Sequence, residues 1–250
     1  MLNLRIILVA TLFSSLCFVA CQKDDGGSSP QGNENFSQDI NEFVSQDIID
    51  TLREHGMIIH EGKKPPDLEG VYYAAPFVLK SSAVPSDTSA DVEGERFGDM
   101  KLRLREQNNE DLTIKGDYKQ IDPTDESVIG EAIGNGGFIA GEGNQFTVFL
   151  KLEGTSSGTF SDDSASHVTS QIISGTITGD SIENYHHAIW MIEKDDPNDI
   201  LIPENTGRVL QDEDGMAKGM DPSDFKRAPF SERESTGSNK FIMLKKHLVK

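Results

Sequence analysis

The sequence predicts an all-β fold in which antiparallel strands close into a barrel of about eight strands. Strand-like segments follow one another from residue 70 to residue 211 at intervals of about 10 to 15 residues, with little helical pattern between them. Glycines recur inside these segments, and glycine permits the kinks and bulges that closing a barrel requires. A β-sandwich built from the same strands is the alternative.

The clearest strand lies at residues 100–105, where Met and Leu alternate with Lys and Arg. A period of two predicts one buried face and one solvated face. Residues 112–121 follow after a turn and form the next strand. The long segment 70–82 contains Pro76, which has no N–H to donate and therefore predicts a bulge or an edge position. Residues 128–140 carry four glycines and are interpreted as one kinked strand or two short strands.

Two hairpins are expected in the second half of the chain. The sequence GEGN at residues 141–144 is typical of a turn and leads into a strand at 145–152. Residues 167–178 and 181–194 form the second pair around a Gly-Asp turn. Both faces of the latter strand are apolar, which predicts a central and well-buried position. A last strand is expected at residues 207–211.

The barrel domain is expected to span residues 67–212, between two extensions. Residues 38–66 form a helical N-terminal extension, in which apolar residues at helical spacing predict a helix broken near Ser45 and ended by Gly56. Residues 213–250 are interpreted as an irregular C-terminal extension that packs on the domain.

The first 20 residues have the pattern of a secretory signal peptide. A positive charge at Arg5 precedes an apolar run over residues 6–20, which is too short to favour a permanent membrane span. The run ends in Phe18, Val19, Ala20 and Cys21, a sequence that resembles the bacterial lipobox. Phe18 departs from the family, in which leucine is usual at that position.

The lipobox resemblance implies a lipid anchor on Cys21. A lipoprotein of this type is cleaved after Ala20, carries an S-diacylglycerol group on Cys21, and is then N-acylated, commonly with palmitate. Each buried methylene contributes about 0.8 kcal/mol, and stable anchoring needs two signals or chains, which a lipidated cysteine supplies. An ordinary signal peptide followed by a chance cysteine is the alternative.

The residues after Cys21 resemble the export signal of surface lipoproteins in the Bacteroides group. That signal places a lysine before paired acids, which here are Lys23, Asp24 and Asp25. The resemblance implies an outer-membrane protein that faces the cell exterior, with the periplasmic face as the alternative. Residues 21–37 are rich in Gly, Ser, Pro and Asn and are interpreted as a lipidated, flexible tether.

The strand pattern also resembles the lipocalin-like barrels of Bacteroides-group lipoproteins. The resemblance covers residues 68–212 and rests on an early Gly-Val-Tyr strand, a meander after it, and a late hairpin at residues 174–182. It implies a lipocalin-like barrel. It does not identify a ligand.

Composition excludes several classes of function. The chain has 42 acidic against 23 basic side chains and a formal net charge of −19, so nucleic acid would be repelled. The chain contains two cysteines, Cys17 and Cys21. If the first leaves with the signal peptide and the second is lipidated, no thiol remains for a disulfide, a metal site or a nucleophile.

No candidate catalytic, metal or cofactor site emerges from the spacing of residues. His186 and His187 are adjacent on a predicted strand, so their side chains point to opposite faces and do not share a metal. Asp212, Asp214 and Asp221 fit part of a calcium loop, but the first position would be Leu210, which has no oxygen ligand. The glycines of the GNGG sequence at residues 134–137 are better explained by barrel geometry than by phosphate binding, because no helix pattern follows them.

These observations favour a membrane-anchored, non-catalytic lipoprotein that binds a small apolar or sugar-like ligand in or on a β-barrel. The alternative is a structural or interaction subunit of an envelope protein assembly, with a filled barrel. No nucleophile elbow, P-loop or HExxH motif is present, and a hydrolase is the remaining enzyme class. No cofactor is expected.

Overall fold

The computed structural model describes residues 35–87, 93–134, 136–157 and 163–225. It is 56% strand and 10% helix, which confirms the all-β prediction. Two short α-helices come first, α1 at Gln38–Phe43 and α2 at Gln46–Glu54, and a 3₁₀ helix lies at Pro222–Asp224.

The described residues contain strands of 2 to 15 residues, numbered in chain order. They are β1 Lys63–Lys64, β2 Gly70–Ala74, β3 Phe77–Ser82, β4 Arg96–Phe97, β5 Asp99–Asn108, β6 Thr113–Ile121, β7 Val128–Ile133, β8 Gly137–Glu142, β9 Gln145–Ser157, β10 Ser164–Thr178, β11 Ser181–Asp195, β12 Gly207–Asp212 and β13 Met216–Met220.

Eight of these strands pair edge to edge in a closed ring. The order is β9, β7, β6, β5, β2, β13, β11, β10 and back to β9, and every pairing in the ring is antiparallel. Most of the other strands extend this ring. β3 and β12 pair with each other beside β11, and β8 pairs with both β9 and β6.

Short interruptions divide long strands at the places where proline and glycine occur. Pro76 separates β2 from β3, as the sequence predicts, because proline cannot donate to the ladder. Gly98 separates β4 from β5, and residues 134–136 separate β7 from β8. The glycine-rich segment 128–140 is therefore two short strands.

One face of every ring strand contributes to a single large hydrophobic cluster, and this face is here called the inner face. On β5 the inner residues Met100, Leu102 and Leu104 are fully buried, as their alternation with basic residues predicts. On β9 the inner residues are Phe146, Val148, Leu150 and Leu152, which are also buried. Since each fully buried side chain of this kind contributes about 1.5–3 kcal/mol, the inner face dominates the stability of the fold.

The two helices cover part of the opposite, outer face. Ile40, Ile49 and Leu52 form a second hydrophobic cluster together with outer residues of β8 to β12, including Phe149 and Trp190. The break between the helices occurs at Ser45, whose side chain caps the N-terminus of α2 by accepting from Ile48 N–H, which confirms the predicted break.

The two predicted hairpins are confirmed. β8 and β9 are joined through Gly143, and β10 and β11 through Gly179. Both glycines have positive φ, of 65° and 66°, a conformation that a side chain would strain. β11 is buried on both faces through much of its length, as its sequence predicts, although Ile192 is 37% exposed.

Strand β13 lies in the segment that was expected to be irregular. Residues 216–220 read Met-Ala-Lys-Gly-Met, which lacks the β-branched and aromatic residues that mark a strand, so local sequence did not indicate it. Pairing with β2 and β11 stabilises this strand although its local strand propensity is weak, and Ala217 is fully buried. The prediction of an irregular segment directly after residue 212 is therefore wrong. Similarly, β1 lies within the predicted helical extension and pairs in parallel with β8.

Replacing Gly137 with alanine is expected to destabilise the fold, whereas the same change at Gly136 is not. A methyl carbon at Gly137 would lie 2.4 Å from the carbonyl oxygen of Phe149 and 2.6 Å from Leu150 Cδ2, but at Gly136 it meets nothing within 4 Å. Urea unfolding should show a loss of about 1–3 kcal/mol for G137A and a change within about 0.5 kcal/mol for G136A. Equal losses in both variants would contradict the close packing at Gly137.

Candidate functional site

A buried polar network runs along the inner faces of β10 and β11. His187 lies 2.7 Å from Gln171, measured from Nε2 to Oε1, and 3.0 Å from Tyr185, measured from Nδ1 to the hydroxyl oxygen. Because an amide oxygen only accepts, Nε2–H of His187 donates to Gln171, and Nδ1 accepts from Tyr185. Complete burial lowers the pKa of His187 to about 3, so the imidazole is neutral.

A second inner histidine lies farther along β10. His167 Nε2 is 3.2 Å from Ser156 Oγ on β9, and burial lowers the pKa of His167 to about 4. Nδ1 of His167 is buried and has no hydrogen-bond partner among the described residues, whereas the other polar atoms of these two histidines bond to inner side chains. The inner face therefore gives a ligand few polar groups to bind.

The other described histidines are His55, His60 and His186, and His60 is close enough to His186 for its charge to lower the pKa of His186, after the larger effect of burial. His186 lies on the opposite face from His187, as predicted, where Nε2 accepts from Lys80 Nζ at 2.7 Å and Nδ1–H donates to the carbonyl oxygen of Asn184. His55 contacts Ser81 at 2.7 Å. Within the described part of the chain, no group of three His, Cys, Asp or Glu side chains is arranged to hold a metal ion.

The acids that fit part of a calcium loop are engaged in local turns. Asp212 accepts from the backbone N–H groups of Ala75 at 2.7 Å and Asp214 at 3.0 Å. Burial and the nearby Asp214 carboxylate raise the pKa of Asp212 to about 6. Asp221 instead caps the 3₁₀ helix through Ser223 N–H. Each acid thus has a structural partner.

A groove of about 620 Å³ opens on the outer face, between α1 and the strands β6, β8 and β9. Phe43 of α1 and Phe138 of β8 form one wall and contact each other edge to face, with ring centroids 5.2 Å apart. Gly136 is exposed and leaves the backbone uncovered in the floor, next to the buried Gly137. The other lining residues are Glu106, Thr113, Ile114, Lys115, Ile133, Lys151 and Glu153.

Strand register brings the polar lining residues together. Ile133 of β7 is paired with Asp117 of β6 on one side and with Glu153 of β9 on the other. Lys151 and Glu153 are two residues apart on β9, so both side chains project from its outer face. Both are exposed, and no described side chain pairs with either of them. They present one donor group and one acceptor group to the groove.

A smaller depression of about 290 Å³ adjoins the groove and shares Ile133 with it. Arg103 and Arg105 of β5 both donate to Asp117, through Arg103 Nε at 2.9 Å and Arg105 Nε at 3.1 Å. Burial opposes ionisation of Asp117, but the hydrogen bonds from the two arginines outweigh it and hold the pKa of this carboxyl below its ordinary value. The carboxylate is therefore charged and holds the two guanidinium groups in position.

An aromatic ring covers the depression from the C-terminal side. Phe225, just after the 3₁₀ helix, lies over Arg103, with 4.6 Å between the guanidinium carbon and the ring centroid. The Lys119 ammonium lies 5.4 Å from the same centroid. Cations close to a ring face are attracted by its quadrupole, so Phe225 stabilises both basic groups.

The predicted lipidation and export residues lie outside the described residues. These are Cys21, Lys23, Asp24 and Asp25, and His247 also lies outside the described residues. Among the described residues, no helix is both long enough and apolar enough to cross a membrane.

Comparison of this chain with protein-family models, with curated proteins and with solved structures finds no match. Its candidate site must therefore be judged from its own geometry.

The groove was not identified from the sequence. Its polar residues Lys115, Lys151 and Glu153 lie on two strands and occupy ordinary solvated positions in an alternating pattern. The glycines of residues 134–137, which the sequence analysis attributes to barrel geometry, lie at the interruption between β7 and β8. The glycines also leave an open floor beside Phe138, and this floor depends on the register between β6 and β8.

The buried, neutral His187 is expected to make the protein less stable in mild acid. Below pH 6.5 the unfolded chain protonates this histidine, whereas the folded protein keeps it neutral down to a pKa of about 3, so the unfolded state binds more protons. Stability should therefore fall as pH falls through this window. The difference in unfolding free energy between wild type and H187Q should shrink by about 1.4 kcal/mol per pH unit between pH 5.5 and pH 4, as measured by urea unfolding. A difference that does not change with pH would contradict the buried, neutral state.

Proposed function

We propose that this chain is a lipid-anchored outer-membrane lipoprotein that binds a small sugar-like ligand in the groove on the outside of a β-barrel. The groove carries the proposal. It combines aromatic rings, an open glycine floor and unpaired polar groups in a volume of about 620 Å³, within the range of about 300–1,000 Å³ that is common for ligand sites.

The ring of eight antiparallel strands is proposed to be a barrel of the lipocalin-like type. Closure of the eight-strand ring supports this proposal, because each ring strand pairs with a ring neighbour on both sides, although β1 and β4 end the sheet outside the ring. The glycine interruptions and the bulges between β10 and β11 are the devices by which barrels turn their corners. A β-sandwich, the alternative, is less favoured because its two sheets would each end in edge strands.

The outer groove is favoured over the inner face as the ligand site. Inner residues belong to one large hydrophobic cluster, and His187, Gln171 and Tyr185 use their polar groups on one another. A ligand that entered there would have to replace these hydrogen bonds, which costs about 1–3 kcal/mol for each buried group left without a partner. Ligand binding on the outer face needs no such rearrangement.

The charges in the groove favour a polar, uncharged ligand group. Two cations, Lys115 and Lys151, face two anions, Glu106 and Glu153, so the lining has no net charge. Sugar hydroxyl groups both donate and accept, so they can use lysine and glutamate side by side. Phe43 and Phe138 add apolar surface of the kind on which the C–H face of a sugar ring packs.

The same groove favours binding over glycoside hydrolysis. Hydrolysis needs one carboxylic acid that keeps its proton near neutral pH. Glu106 accepts hydrogen bonds from Lys115 and Arg105, and these hold the pKa of its carboxyl below the ordinary value. Glu106 is therefore a poor proton donor. The groove lining then has no suitable acid to act with Glu153 in glycoside hydrolysis.

A second candidate function is that of a structural or interaction subunit in an envelope assembly. The packed inner face favours it, because a filled ring serves as a rigid scaffold. Co-purification of another envelope protein under mild detergent extraction would support this function. Recovery of the protein as a monomer that binds oligosaccharide would contradict the subunit function and support ligand binding in the groove.

The anchor makes separable predictions about Cys21 and the residues after it. C21A should lose incorporation of alkyne-labelled palmitate and should leave the outer-membrane fraction. The variant with alanine at Lys23, Asp24 and Asp25 should keep the palmitate label, but protease added to intact cells should no longer digest it. E34A, farther along the same tether, is the matched control and should behave as wild type. Palmitate label on C21A would refute the lipidation site.

Three substitutions test the groove with neutral oligosaccharides. F138A removes an aromatic contact, and K151A and E153A each remove one charged hydrogen-bonding group, so each should weaken binding about tenfold by calorimetry. E193A is the control, because Glu193 is an exposed glutamate outside the groove, on β11. The proposal fails if no neutral oligosaccharide binds, or if F138A, K151A and E153A all bind as wild type does.

A further inference from the structure

We propose that Glu106 determines which ligand the groove takes, by accepting hydrogen bonds from two adjacent hydroxyl groups of one sugar unit. This inference deepens the proposed function and rests on it. The ligand class is then a neutral oligosaccharide in which a vicinal diol is free.

The first observation is that a β-bulge turns Glu106 away from the inner face. Leu104 of β5 is an inner residue, so alternation alone would direct residue 106 into the hydrophobic cluster. Between Arg105 and Asn108, however, the register of β5 against β6 shifts, because β5 has an extra residue there. The bulge re-aims Glu106 to the outer face, where its side chain is 57% exposed and lines the groove.

The second observation is the backbone conformation of Glu106. Its φ is 53°, which lies in the left-handed region. In one common type of bulge glycine occupies this position, because a side chain in the left-handed region costs free energy. Asn and Asp tolerate that conformation better than Glu does. A glutamate in a position that favours glycine indicates that the side chain itself has a role.

The third observation is that neighbouring cations hold the carboxylate in place. Arg105 Nη1 donates to Glu106 Oε1 at 2.6 Å, and Lys115 Nζ donates to Oε2. Arg105 is itself held by the buried Asp117, which accepts from Arg105 Nε at 3.1 Å. Because the carboxylate is oriented before a ligand arrives, binding loses less conformational entropy.

The carboxylate of Glu106 still has acceptor positions for two hydroxyl groups. An ionised carboxylate has about four such positions, and Arg105 and Lys115 occupy one on each oxygen. Their hydrogen bonds, that of Lys115 above all, lower the pKa of this carboxyl, so both oxygens are acceptors at neutral pH. Each oxygen can therefore accept from one hydroxyl group, and adjacent hydroxyl groups of a sugar ring are close enough together to reach both.

The charges around Glu106 favour hydroxyl groups over cations. A ligand ammonium or guanidinium group that reached Glu106 would also approach Lys115 and Arg105, and like charges repel. A hydroxyl group instead donates to Glu106 and keeps lone pairs that can accept from the Lys115 ammonium. A methoxy group accepts but cannot donate, so it cannot replace the hydroxyl group.

The test is calorimetric titration of the protein with tetrasaccharides of 1,4-linked glucose, mannose and galactose, in which the hydroxyl groups at C2 and C3 are free. The tightest binder is then compared with two methylated forms. Methylation at both C2 and C3 should weaken binding by about tenfold or more, because the methoxy groups cannot donate to Glu106. Methylation at C6 is the matched control and should leave the affinity unchanged.

Two substitutions assign this preference to Glu106. E106Q and E106G should each bind the unmodified tetrasaccharide about tenfold more weakly, and should no longer distinguish it from the form methylated at C2 and C3. E126G is the matched control and should bind as wild type, because Glu126 is exposed outside the groove and also has a positive φ, of 60°. Since glycine relieves the left-handed conformation, both glycine variants should unfold at the same or a higher urea concentration than wild type.

The outcomes separate this inference from the proposed function. If tetrasaccharides bind but methylation at C2 and C3 does not weaken binding, or E106Q and E106G bind as wild type does, the inference is overturned and the groove proposal stands. If no tetrasaccharide binds, both are overturned. If affinity falls only in variants that unfold at a lower urea concentration than E126G, Glu106 acts through the fold and the inference is overturned.

Discussion

The packing of one face of every ring strand into a single hydrophobic cluster is the constraint on which the rest of the structure depends. Because side chains alternate along a strand, each residue buried on the inner face fixes its neighbours on the outer face. On β9, burial of Leu150 and Leu152 places Lys151 and Glu153 outside. On β5, burial of Leu102 and Leu104 places Arg103 and Arg105 outside. The candidate site is thus positioned by residues that do not line it.

The polar groups of the inner face explain why the ligand site is proposed on the outside. An unpaired polar group in this environment would cost free energy, and His187, Gln171 and Tyr185 avoid that cost by bonding to one another. The polar groups of these three side chains therefore stabilise the fold by bonding to one another. On the outer face, Lys151 and Glu153 are exposed to solvent, so they can exchange water for ligand groups without disturbing the core.

Features set by local sequence could be predicted, and features set by pairing between distant segments could not. The alternation at residues 100–105, the helix break at Ser45 and the hairpin at Gly179 each depend on neighbouring residues, and the structure confirms them. β13 has weak strand propensity and forms because β2 and β11 pair with it, so its own sequence does not show it. The groove needs the register of β6, β7, β8 and β9, which no short pattern encodes.

The most direct test of the account is to map a bound oligosaccharide by nuclear magnetic resonance on ¹⁵N-labelled protein. The account predicts that shifts in the amide signals cluster at Thr113–Lys115, Gly136–Phe138 and Lys151–Glu153, on the outer face. The side-chain amide of Gln171 and the imidazole of His187 should keep their signals, because the inner network is undisturbed. Shifts concentrated at Gln171 and His187, with the outer strands unchanged, would show that the ligand enters the ring and would contradict the account.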